Sequence, residues 1–171
     1  HPHRELEIVT WVLEGELHHR DSTGSSGVVV PGVVQVLSAG SGIVHEEHAG
    51  PGVTRFVQMW VLPDESGLPP SYALGTVEPH GLTPLVSGIP RLDAAVGIHT
   101  AGAALHVARL AAAESVVLPD APRLHVFVAR GSVDLEGAGL LDEGDAARFT
   151  GDGAPRLTAA TPAEVLVWQL P

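Results

Sequence analysis

The chain has 171 residues and is 44% hydrophobic, enough to bury one or two small cores and in keeping with a soluble globular protein. A formal net charge of −11, with only nine basic residues besides histidine, all arginine, disfavours direct nucleic acid binding, because attraction to phosphates is mainly electrostatic. Cysteine is absent, which excludes disulfides and thiolate metal sites; no apolar run approaches a membrane span, and the cytoplasm is the expected compartment.

The chain opens on His1-Pro2-His3. In an extended strand, residues two apart share a face and lie about 6.6 Å apart, so His1 and His3 project together. Residues 6–13 are rich in β-branched and aromatic side chains and read as a strand. Glu14-Gly15 makes a turn, residues 16–20 return as a more polar strand, and residues 21–27 form a loop by composition. Residues 28–30 and 33–39 are strands separated by the turn Pro31-Gly32. After the turn-rich stretch around Gly40 and Gly42 comes His45-Glu46-Glu47, where alternation again puts His45 and Glu47 on one face and Glu46 on the other. Gly50-Pro51-Gly52 turns the chain into a strand over residues 54–62. Short strands broken by Gly and Pro, without a sustained helical period, predict an all-β barrel or sandwich.

If the strands carrying the two motifs are neighbours, three imidazoles and a carboxylate meet at one point. Nitrogen and oxygen donors of this kind suit a divalent first-row metal: Fe, Zn, Mn, Co, Ni or Cu. Four protein ligands around a six-coordinate ion leave two positions open for chemistry, whereas structural metal sites tend to be closed. The candidate ligands are therefore His1, His3, His45 and Glu47. His18-His19, at a strand end before a loop, reads as solvated surface, and His48 points away from Glu47. His80, His99, His106 and His125 lack ligand spacing.

The run His1-Pro2-His3-Arg4, then Glu7, Val12-Leu13-Glu14-Gly15, Pro31-Gly32, residues 39–47 and Phe56-Val57-Gln58-Met59-Trp60 strongly resembles the pirin family of bicupins. The resemblance covers essentially the whole chain. It implies two tandem cupin barrels of double-stranded β-helix (jelly-roll) type, with one metal, iron(II) above the other candidates, in the N-terminal barrel. Its three histidines and one glutamate map onto His1, His3, His45 and Glu47. It implies an oxidoreductase, a quercetin 2,3-dioxygenase that cleaves a flavonol-like small molecule with dioxygen. The other role in the family is a metal-bearing transcription co-regulator or redox-sensing module, whose partner is a protein. The family also places a strand-bearing segment before His-Pro-His, so residues are expected to be missing upstream and the first barrel to be incomplete. Glu5 and Val33 stand where Gly and Asp are usual; neither is a ligand.

Two domains are expected, the metal-binding barrel over residues 1–80 and a cupin-like barrel over 81–171 that includes a proline-rich connection. An internal repeat supports this: Val12-Leu13-Glu14-Gly15 resembles Val128-Ala129-Arg130-Gly131. Pro31-Gly32-Val33 likewise lines up with Glu143-Gly144-Asp145. Anchored on the first pair of glycines, His1 and His3 fall on Val117 and Pro119; anchored on the second, His45 and Glu47 fall on Leu157 and Ala159, none of which binds metal. In the dioxygenase reading Glu47 doubles as ligand and as the base that takes the substrate hydroxyl proton. Trp11, Ile43, Phe56 and Met59 are candidates for an apolar wall.

Overall fold

Alternating apolar side chains and closely spaced Gly and Pro leave this chain little option but short strands. The computed structural model describes every residue except Asp152, and all regular elements among the described residues are β-strands. They gather into two units: His1–Val77 with Ala94–Ala101, and Glu78–Asp93 with Gly102–Pro171. Each is built from antiparallel sheets in the manner of a cupin barrel, so the all-β, two-barrel expectation holds.

The first unit contains β1 (Pro2–His3), β2 (Glu7–Glu14), β3 (Leu17–Asp21), β4 (Ser26–Val29), β5 (Val33–Ser38), β6 (Ile43–Ala49), β7 (Arg55–Val61) and β8 (Ser71–Thr76). They form two four-stranded sheets, in the orders β1-β6-β3-β4 and β7-β2-β5-β8. Side chains from both sheets interdigitate. Ile8, Leu37, Ala39 and Ile43 make one apolar cluster; Val12, Leu17 and Val29 make another. Burying each of these Val, Leu and Ile side chains is worth about 1.5–3 kcal/mol. Thr10 lies on β2 between Ile8 and Val12, on the same inward face. The interior between the two clusters is therefore polar, and this layer positions the site.

The returning segment bears β10 (Val96–Gly97), and beyond it His99 reaches the first unit's own β2. The buried Glu7 carboxylate accepts from the His99 backbone N–H and from Nδ1, each at 2.8 Å. Thr100 Oγ1 donates to Leu62 O at 2.6 Å. A carboxylate with no solvent exposure needs such partners.

The second unit opens with β9 (Gly81–Ser87). It continues through β11 (Ala104–Leu110), β12 (Ser115–Val117), β13 (Arg123–Arg130), β14 (Ser132–Leu135), β15 (Gly139–Asp142), β16 (Ala146–Thr150), β17 (Arg156–Ala159) and β18 (Ala163–Leu170). Its sheets run β12-β17-β14-β15 and β9-β11-β18-β13-β16; the first repeats β1-β6-β3-β4, and β18-β13-β16 repeats β7-β2-β5. The repeat extends to the turns. Gly15 and Gly131 follow equivalent bulged strands with φ of 72° and 75°. A Cβ at either would run into a backbone carbonyl oxygen, that of Val53 or Pro162. Only glycine fits both the left-handed conformation and that approach.

Candidate metal centre

The β1–β6 pairing builds the first part of the site. Pro2 lies opposite Val44 and His3 opposite Ile43, and the His45 N–H donates to His1 O at 3.0 Å. The two His motifs are thus on neighbouring strands. The three rings converge, with centroid separations of 4.7 Å for His1–His3, 4.5 Å for His1–His45 and 4.9 Å for His3–His45. The Nε2 atoms of His1 and His45 face each other at 3.1 Å. Two nitrogens each about 2.1 Å from one cation and at right angles to each other would be about 3.0 Å apart. That near match, in a set of imidazole donors, fits a divalent transition metal. Burial holds His45 below its ordinary value, helped by the charges of His3 and His19 against the pull of Glu47, which favours the neutral ring with a free lone pair.

The β3–β6 pairing builds the second part. His19 lies opposite Glu47, and Asp21 opposite His45. The ligand atoms of His19, His45 and Glu47 lie within 4.8 Å of one another, as do those of His1, His3 and His45. His45 therefore joins two groups that could each hold a cation. Glu47 belongs with His45 and His19, and its carboxylate is tightly held. Gln35 Nε2 donates to Oε1 and Gln58 Nε2 to Oε2, both at 2.7 Å. His19 Nδ1 stands 3.8 Å from Oε1, too far for a hydrogen bond but close enough for charge attraction. Burial alone would raise the Glu47 carboxyl; His19 and the two amides outweigh it, and the group sits below its ordinary value.

His19 is buried, in contrast to its sequence reading as solvated surface. Its Nε2 donates to Asp21 Oδ2 at 3.0 Å, and its ring stacks on Tyr72 at 4.3 Å with only 8° between the planes. Burial would lower its pKa, but Glu47 and Asp21 raise it above the ordinary histidine value. Asp21 in turn resists the upward push of burial through bonds from Thr23, His19 and the Ser25 backbone, and lies low. The missed signal was Leu17: strand alternation puts 17, 19 and 21 on one face, and all three are buried.

His18 and His48 fall on the other face, stacked on each other at 5.1 Å. Glu46 is exposed, as alternation predicts. Among the expected wall residues, Ile43 shares the inward face of His45, and Phe56 that of Gln58. Trp11 and Met59 lie on the opposite faces of their strands, because one step along a strand reverses the side chain. Trp60 takes the wall position that sequence reasoning missed: it is 62% exposed, on the Gln58 face, and edge-on to His3 at 5.4 Å.

Comparisons with known proteins agree with this geometry. The family model described as Pirin matches residues 1–61, and the one described as quercetinase C-terminal cupin domain matches residues 85–170. A Mycobacterium tuberculosis protein provisionally named quercetin 2,3-dioxygenase is 50% identical over 176 residues, covering 99% of this chain and 72% of the relative. The Escherichia coli K12 quercetin 2,3-dioxygenase is 30% identical over 174 residues, covering 100% of this chain and 75% of the relative. The structure of the Escherichia coli bacterial pirin YhhW in complex with nickel(II) superposes with a TM-score of 0.88 at 29% identity, covering 100% of this chain and 75% of that one.

Proposed function

This chain belongs to the pirin family, and from that premise we propose that it is a metal-dependent dioxygenase of the quercetin 2,3-dioxygenase type. The observation that carries the reading is the convergence of His1, His3 and His45 beside a half-buried, ionised Glu47. In this reading the three imidazoles and Glu47 hold one iron(II). A bound divalent metal supplies Lewis acidity and exchangeable positions for the adjacent hydroxyl and carbonyl of a flavonol. The remaining work falls to the chain. Trp60 and Phe56, on the Gln58 face and partly exposed, offer apolar surface to a flat ring.

Glu47, with a ligand atom within 4.8 Å of those of His45 and His19, is the candidate acceptor of the substrate proton. Two amide donors stabilise its anion, which makes it a good ligand and a weak base. Glu47→Gln separates the roles: it should keep part of the metal and lose most oxygen consumption per bound ion, about 10²- to 10⁴-fold for a lost base. Near-normal turnover per metal in that variant would remove the base role.

The direct test is anaerobic loading with Fe(II), followed by oxygen uptake with a panel of flavonols. Oxygen consumption that requires both metal and flavonol, with release of carbon monoxide, is the expected result. No uptake by metal-loaded protein with any flavonol would overturn the dioxygenase reading in favour of a metal-bearing protein-interaction module.

A further inference from the structure

The polar layer behind Glu47 is more elaborate than the burial of one carboxylate demands. Each Glu47 oxygen accepts a short hydrogen bond from a different strand, Gln35 on β5 and Gln58 on β7. Both glutamines flank Thr10 across the central strand β2, in register on either side. Thr10 Oγ1 receives from Gln58 Nε2 at 3.2 Å and from Gln35 Nε2 at 3.4 Å. A glutamine side chain is nearly symmetric in shape, so something must decide which end faces the carboxylate. Tyr72 decides it for Gln35: its hydroxyl donates to Gln35 Oε1 at 3.0 Å, which turns Nε2 toward Glu47. Gly27, on β4, leaves room for that hydroxyl, which a Cβ there would meet directly.

We propose that Gln35 and Gln58, oriented by Tyr72 and Thr10, are positioning residues that present Glu47 to the metal as a monodentate ligand. This rests on the metal-centre reading above. With both oxygens engaged by fixed amides, the carboxylate cannot rotate to chelate without breaking one of two charge-assisted bonds. A chelating Glu47 would take up a second coordination position that substrate or dioxygen needs. The clamp thus keeps the site open. Partners of this kind typically change metal affinity about 10- to 100-fold when removed.

The test compares wild type with Gln58→Met, Gln35→Met and Tyr72→Phe. Methionine keeps length and volume without the N–H donors; Tyr72→Phe keeps the ring stacked on His19 and frees only the amide of Gln35. Chelator competition gives the affinity for Fe(II) and Ni(II). Infrared difference spectra, metal-loaded minus metal-free, give the separation of the two carboxylate stretches, wide for a monodentate and narrow for a chelating group; Glu47→Gln assigns the bands. The expected result is a wide separation in wild type that narrows in both Gln→Met variants, with affinity about 10- to 100-fold lower, and a smaller change of the same sign in Tyr72→Phe. Should the methionine variants fail to fold, Tyr72→Phe decides alone. Metal bound by wild type with unchanged bands and affinity in the folded variants overturns the clamp and leaves the metal centre standing. No metal bound by wild type overturns both.

Discussion

The two barrels share the strand pairings around their interiors, β1-β6-β3-β4 with β12-β17-β14-β15 and β7-β2-β5 with β18-β13-β16, yet carry opposite chemistry at matched positions. In the first unit Thr10 stands opposite Gln35 and Gln58, and His19 opposite Glu47. In the second, Val126 stands opposite Ala147 and Val167, and Leu135 opposite Leu157. Every polar member of the first layer has an apolar counterpart, and Val126, Leu135, Leu157 and Val167 are all buried in one cluster. The lesson is physical. A cupin barrel closes without a polar layer, so the buried hydrogen-bond network of the first unit answers a requirement other than folding. Buried polar groups weaken a core unless every one is partnered.

The strongest way to break the comparison is to place the first barrel's carboxylate in the second. Leu157 is fully buried in a cluster of apolar side chains. Leu157→Glu should cost about 3–5 kcal/mol, as for any uncompensated buried charge, measured by urea unfolding of the metal-free protein. A neutral effect would mean that the second interior admits partners or water.

The shared scaffold can be tested where the barrels agree. Gly15→Ala and Gly131→Ala should each cost about 2 kcal/mol or more, since each adds a left-handed penalty and a contact with a backbone carbonyl. Unfolding should show similar losses for the two. A large loss in one and none in the other would deny that the turns are equivalent.

Titration gives the smallest and most selective effect. His106, buried on the Ala108 and Leu110 face of β11, lies below its ordinary value of 6.5 because of burial, opposed only by the Val167 backbone bond. The unfolded chain then binds a proton that the folded chain does not, so stability falls as pH drops below that value. His45 and His125 share this sign. His19, raised, has the opposite one: its contribution is full below 6.5 and is lost as pH rises through its folded value. Thermal unfolding of metal-free protein between about pH 7.5 and 5.5 should therefore show an acid loss that flattens in His106→Leu and steepens in His19→Leu. The reverse pattern would contradict both assignments.

How far the sequence carries can be judged from particular residues. The His1/His3 and His45/Glu47 pairs were legible because strand alternation is a local rule, and the histidine rings do converge. The polar layer was legible in principle: Thr10, Gln35 and Gln58 are each a polar residue inside an apolar strand, the usual mark of a buried hydrogen-bonded group. Its meaning was not, because it depends on cross-strand register. Register also shifts the repeat: Leu157 stands where Glu47 does, facing Leu135 as Glu47 faces His19, whereas alignment on the turn glycines pairs it with His45. Nothing local marks the return of Ala94–Ala101 to the first unit, since it depends on the Glu7–His99 contact across 92 residues.

The central claim is that the chain holds a metal in its first barrel, through His1, His3, His45 and Glu47. Elemental analysis of purified wild type and His45→Ala, each reloaded with Fe(II) and desalted, tests it directly. The account predicts about one ion per chain in wild type and little in His45→Ala, because His45 belongs to both candidate groups. Equal metal content in the two proteins would contradict it.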